Sequence, residues 1–462
     1  MAPRRFLEQF EQIKSSQDFP VAYTADGGEG SFIYEKGCVV AGSHEADEVE
    51  ELITSNHPEL APTVRRREVR QRTGVTVIEV GDPGRGGDTG DPDVELVLST
   101  VNRGRTVPMA TRMHIVGIAD VNSCPNDEPD PVSPYSVEQL NPRLANPIDT
   151  DQEVVVVVVD TGLVWDYTSH AWMREDVDGI GKTVRLGADG ALAQYVGHGT
   201  HITSIVKAVA PNAVVWVDNA LEGIKAGTVT EEKLAERLMW ILEHKKPHII
   251  SLSAGTNTED ANKLKSMTDF MNALKDSSTM LVAAAGNNAS THPFYPAAYA
   301  KLPEYRDTVI SVGALRSDNT DMACFSNRGD WVRVYAPGER LTAAFTTAPL
   351  YRYQHSTSDT CLHGTNYPCT CKVPNRKGAL SPDVTTANTT GFTGLARWSG
   401  TSFSTPCVAG MLVNQMLTTK EEDPREAAKA LLGGHTVQVQ TADGQLPSLL
   451  PPTWTSFNYQ EA

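Results

Sequence analysis

Six consecutive valines, Val154 to Val159, constrain this chain more than any other segment. The run is too short for most helices and apolar on both faces, as expected of a central strand in a parallel sheet. Asp160, Thr161 and Gly162 then stand at its carboxyl end. Further short apolar strands are predicted at Val214–Val217, Ile249–Leu252, Met280–Ala284, Val309–Val312 and Trp331–Tyr335. Helical patterns lie between several of them: Leu234, Leu238, Ile241 and Leu242 share one face over Glu231–Lys245, with Thr228 or Thr230 to cap the start, and a second helix is predicted over Glu259–Leu274. The fold class is therefore α/β, a doubly wound, mostly parallel sheet with helices on both faces, in which active sites gather at the carboxyl ends of the strands.

At 462 residues the chain exceeds what one compact core usually accommodates. Strand-like stretches at Val75–Val80, Val94–Val101 and Met113–Val121 predict a small N-terminal α+β unit over residues 1–121. Between Asn122 and Asp149 the chain carries Pro125, Pro129, Pro131, Pro134, Pro142 and Pro147 with several acids, so residues 122–150 read as a linker. The main domain is expected over 151–420, interrupted by an insertion at about 348–398, with a tail at 421–462 whose one helix-like piece is Pro424–Leu432.

The net charge is −17, and apart from Arg65, Arg66 and Arg67 the basic residues are scattered, which argues against a nucleic-acid partner. No stretch approaches the roughly 20 apolar residues of a membrane-spanning helix. Met1 to Pro20 contains no continuous apolar run of the secretory kind, and seven cysteines, an odd number with Cys38, Cys124, Cys324 and Cys407 far apart, fit reduced thiols better than a disulfide framework. A cytoplasmic location is expected.

A serine hydroxyl is a poor nucleophile at neutral pH, so it needs a base for its proton and a third group to fix that base's tautomer. Asp160 ends a buried strand, where a carboxylate can be held dry against an imidazole. His198 opens a helix-patterned segment whose buried face is Ile202, Ile205, Val206 and Val209. Ser402 lies in Gly400-Thr401-Ser402-Phe403-Ser404-Thr405-Pro406, just ahead of the apolar helical segment Val408–Leu417. A serine there can turn its own backbone N–H toward a developing oxyanion, and the helix dipole favours negative charge at the same place.

With these residues, over about 151–418, the chain resembles the subtilase family of serine proteases. Asp160-Thr161-Gly162, Gly197-His198-Gly199-Thr200-His201 and Gly400-Thr401-Ser402 match its three signatures in the family's order. Ala284-Ala285-Gly286-Asn287 matches the segment carrying its oxyanion asparagine, and Ser251-Leu252-Ser253 the strand that pairs with substrate backbone. The resemblance implies a serine endopeptidase working through an acyl-enzyme: Ser402 as nucleophile, His198 as base, Asp160 orienting it, Asn287 holding the oxyanion. His201 is then structural, and Phe294 falls at the bottom of the primary specificity pocket, which predicts a preference for small first-position side chains.

Several departures qualify the match. Phe403, Ser404, Thr405 and Cys407 replace the usual residues after the serine, with Cys407 read as a buried small hydrophobe, and Ser253 replaces a common glycine, which predicts a narrower cleft. The insertion carries Cys361, His363, Cys369 and Cys371, whose spacing fits no standard zinc site even with His355 added, so a polar surface loop is the expectation. The resemblance requires no organic cofactor and admits calcium, for which Asp166, Asp176 and Asp178 are available, although no calcium-loop motif is readable. The expected partners are a protein or peptide substrate and a regulator acting through the N-terminal unit. That unit reads either as a prodomain or, favoured by the proline-rich linker, as an adaptor or sensor. The alternative function is a signalling or scaffold protein with weak or conditional proteolysis.

Overall fold

The computed structural model describes residues 4–24, 30–67, 72–118, 128–133, 135–181, 186, 190–193, 195–221, 226–259, 263–347, 350–352, 389–441 and 444–457. Its main sheet is built around the valine run. Val155–Val159 lies between Val214–Asp218 and Ile249–Leu252, both parallel to it. From Ile249–Leu252 the sheet continues through Met280–Ala284, Val309–Leu315 and Val334–Pro337, all parallel. The hairpin of Val437–Thr441 and Gly444–Ser448 closes that edge, and Val177–Gly179 forms the other. Val156 to Val159 are completely buried, as a central strand covered on both faces requires.

The order of strands decides where a site can form. From Val155–Val159 the chain runs outward one way to the edge strand Val177–Gly179, returns through Val214–Asp218 between the two, and then crosses to the opposite side at Ile249–Leu252. The carboxyl ends of Val155–Val159 and Ile249–Leu252 therefore flank the point where the winding reverses, which leaves a crevice there. Two helices, His198–Val209 and Thr401–Thr419, pack against each other beside the sheet. A second pair, Glu231–His244 and Thr268–Asp276, contributes Leu234, Leu238, Ile241, Phe270 and Leu274 to the same core.

In the N-terminal unit, Ile33–Gly42 pairs antiparallel with Val75–Glu79 on one side and Ala110–Ile118 on the other. The expected strand at Val94–Val101 is instead the helix Pro92–Val101. Asp91 caps it by accepting from the backbone N–H groups of Asp93 and Val94, and Pro92 occupies the first turn, where its missing N–H costs nothing. Val94, Val97, Leu98 and Val101 fall on one helical face and pack with Val49 and Ile53 of the helix Ala46–Asn56. The β-branched composition, which suggested a strand, is overridden by that spacing and the cap.

The expected helix at Glu259–Leu274 begins later, at Thr268, after a short 3₁₀ turn at Lys265–Met267. From residue 128 the proline-rich segment lies against the main domain: Asp130–Pro131 pairs with the strand Leu395–Trp398, and the Ala145 N–H donates to the Ala208 carbonyl.

Candidate active site

Asp160 follows the last valine of the central strand and is fully buried. The His198 Nδ1 lies 2.8 Å from its Oδ1 and 2.9 Å from its Oδ2. The Thr161 backbone N–H donates to Oδ1 at 2.7 Å, so the carboxylate is held from its own turn as well. Thr161 also braces the histidine's helix: its Oγ1 donates to the Tyr195 carbonyl at 3.0 Å and accepts from the Gly199 N–H at 3.1 Å. His198 is the first helical residue after Gly197, which has φ +95°, and a Cβ at that position would stand 2.5 Å from the Phe345 ring. Only glycine enters the helix this way without a clash.

Ser402 is the second residue of the Thr401–Thr419 helix, preceded by Gly400. Trp398 and Phe403, near it in the chain, place their rings 5.1 Å and 5.2 Å from that of His198 in one buried aromatic cluster. The Ser402 Oγ is 3.5 Å from the Ser253 carbonyl, its hydrogen-bond partner in this state. Asn287 accepts the Thr401 N–H through Oδ1 at 2.7 Å, and its Nδ2 lies 3.3 Å from where a Cβ of Gly400 would be. The side-chain oxygen is thus engaged by the serine's own turn, which orients the amide nitrogen as a donor beside it.

His201, one helical turn beyond His198, packs edge-on against Trp398 and Phe403. Burial, with the neighbouring His198 adding to it, pushes its pKa down to about 3, so it is neutral at any ordinary working pH. Cys407 is fully buried, and burial pushes its thiol up, far from a reactive thiolate.

The remaining expected residues lie around this centre in distinct ways. Ser251 and Leu252 are inside the parallel sheet, paired to Val158 and Val159 on one side and Val282 and Ala283 on the other. Their strand edges are already taken. The strand just beyond, Ala254–Asn257, pairs with Phe294–Tyr295 on one side and with the N-terminal unit on the other. Ile118 and Gly117 pair with Ala254 and Gly255, while Gly117, Val116 and Ile115 pair with Thr228, Val229 and Thr230, both antiparallel. The hydroxyl of Ser253 points to the helix of Ser402, donating to the Ser402 carbonyl at 2.9 Å, rather than into this groove.

Phe294 sits 4 % exposed in a strand that pairs with Thr256 and Asn257. A Cβ on Gly255 would come within 2.3 Å of its ring, and one on Gly286 within 3.0 Å, so the ring is wedged between the two glycine segments.

Asn327 carried no signal in the sequence, where Ser-Asn before Arg-Gly reads as an ordinary turn. Fully buried, its Oδ1 accepts from the N–H groups of Asn288 and Ser290, and its Nδ2 donates to the Ala285 carbonyl. It therefore shapes the loop that presents Asn287.

Among the described residues no group of three or more histidines, cysteines, aspartates or glutamates converges as a metal site. The Asp166 Oδ2 is engaged by the Thr347 N–H at 2.7 Å and its hydroxyl at 2.6 Å, and the Asp178 Oδ1 by the Gly179 N–H. Cys361, His363, Cys369, Cys371 and His355 lie outside the described residues.

A family model described as the subtilase family matches residues 151–443. A thermophilic serine proteinase of Bacillus sp. (strain AK1) is 31 % identical over 224 residues, covering 45 % of this chain and 49 % of that protein. The major intracellular serine protease of Bacillus subtilis (strain 168) is 30 % identical over 219 residues, 44 % of this chain and 62 % of that protein. The chain thus spans about half the length of several curated relatives it matches. In structure it is similar to fervidolysin from Fervidobacterium pennivorans, a keratinolytic enzyme related to subtilisin, with a TM-score of 0.53 over 91 % of this chain and 61 % of that one. At 16 % identity that likeness speaks for the fold alone.

Proposed function

The chain belongs to the subtilase family, and on that premise we propose that it is a serine endopeptidase acting through Asp160, His198 and Ser402. The observation that carries this reading is the buried clasp of both Asp160 oxygens on the His198 Nδ1, set where the strand order reverses. With Nδ1–H committed to the carboxylate, Nε2 is left as the acceptor for the Ser402 proton. The Ser402 oxygen then attacks the peptide carbonyl, and the oxyanion is met by the Asn287 Nδ2 and the Ser402 backbone N–H. His198 passes its proton to the leaving amine, the acyl-enzyme forms, and water activated by the same histidine releases it. A serine-directed phosphonate tests the proposal by labelling Ser402.

The groove pairing supports reading the N-terminal unit as an inhibitory prodomain rather than a tethered adaptor. Ile115–Ile118 takes a strand position between Thr228–Thr230 and Ala254–Asn257, the geometry in which an extended substrate would be held. Buried thiols at Cys38 and Cys407, and the Bacillus subtilis relative named as intracellular, support a location inside the cell. Among the described residues no helix is long and apolar enough to cross a membrane.

The position of Phe294 supports a narrow preference. With its ring between Gly255 and Gly286, peptides with alanine at the first position are cleaved faster than those with phenylalanine. Phe294→Ala raises kcat/KM for the aromatic peptide relative to the alanine peptide by about tenfold or more. An unmodified chain that prefers the aromatic peptide contradicts this placement of the pocket.

A further inference from the structure

Ser402 carries an irregularity in its own helix. In the Thr401–Thr419 helix the Ser402 carbonyl would ordinarily accept from the N–H four residues on, but residue 406 is proline and has none. The site is buried: Ser402 is 2 % exposed and Ser253 is 1 % exposed. A carbonyl without a donor there is costly, and the Ser253 hydroxyl is the side-chain group that meets it, 2.9 Å away.

We propose that Ser253 is a positioning residue, whose hydroxyl stands in for the N–H that Pro406 lacks and so fixes the turn bearing the nucleophile. This rests on the reading of Ser402 as that nucleophile. Ser253 follows directly on Ile249–Leu252, a strand hydrogen-bonded on both sides, so the donor sits on one of the stiffest parts of the sheet. The same residue acts twice, because its carbonyl receives the Ser402 hydroxyl at 3.5 Å while its hydroxyl holds the Ser402 carbonyl. Backbone and side chain of the nucleophile are thereby both referenced to the sheet end that also bears Asp160. Without the hydroxyl, the Ser402 carbonyl turns to find another donor and carries Oγ off the line between imidazole and substrate, where small displacements cost rate.

The test is a double-mutant cycle on the full chain, with active sites counted by phosphonate so that kcat refers only to assembled sites. Ser253→Ala lowers kcat about tenfold, the effect of one buried hydrogen bond, and leaves KM within about twofold. Pro406→Ala restores an N–H at the fourth position, and in that background Ser253→Ala costs less than about threefold. Equal losses in both backgrounds, or a rise in KM with kcat unchanged, overturn the proposal while the peptidase reading stands. An unmodified chain that, incubated until its mass is constant so that an inhibitory N-terminal unit can be cut away, neither labels nor hydrolyses peptide overturns both.

Discussion

Asp160→Asn is expected to lower kcat/KM by about 10⁴-fold, the scale known for such substitutions in serine proteases. The local bonding dictates why so isosteric a change is so damaging. The Thr161 N–H needs an acceptor 2.7 Å away, and the side-chain oxygen of the new asparagine fills that need. Its NH₂ then faces the His198 Nδ1, which must become the acceptor. The ring proton moves to Nε2, and the imidazole can no longer take the proton of Ser402. Since the buried shape is conserved, the loss falls on catalysis rather than on folding. Peptide hydrolysis measured against counted, folded protein checks this, and a loss smaller than about tenfold contradicts the assigned role.

Asn287→Ala is expected to reduce kcat by about 10²- to 10³-fold with KM changed only a few-fold, because the lost donor matters chiefly once the carbonyl oxygen carries charge. The neighbouring Asn288 provides the control. Its backbone N–H is bound by Asn327, but the amide engaged with the turn of Ser402 belongs to Asn287. Asn288→Ala therefore lowers kcat less than about threefold, and a reversal of the two effects would move the oxyanion donor by one residue. The contrast separates the two asparagines that spacing alone left adjacent.

The legible parts of this molecule were those whose physics is local. Val154–Val159 reads as a covered strand because valine fills both faces, and Asp160 at its end inherits a dry setting from that burial. His198 and Ser402 are each announced by glycines and an apolar helical face. Where two local signals compete, composition misleads: Val94–Val101 has the residues of a strand, but the Asp91 cap and the three-and-four spacing make it a helix. Ser251 and Leu252 look like a substrate-pairing strand, yet the central sheet has already claimed both sides of it.

What the sequence could not reveal is non-local. Nothing in Gly117-Ile118 or Ala254-Gly255 signals that they pair so far apart in the chain, since strand pairing depends on backbone groups every residue carries. Likewise Asn327 and Ser253 acquire their roles only through the carbonyls and N–H groups that folding brings to them.

The most direct measurement of the central claim incubates the full chain and its Ser402→Ala variant until their masses are constant, so that an inhibitory N-terminal unit can be cut away, and then exposes both to a serine-directed phosphonate, followed by intact mass and peptide mapping. Covalent addition to the unmodified chain alone, mapped to the peptide containing Ser402, is the predicted result. Equal labelling of both chains, labelling at another residue, or peptide hydrolysis surviving in Ser402→Ala would contradict the assignment of Ser402 as the nucleophile.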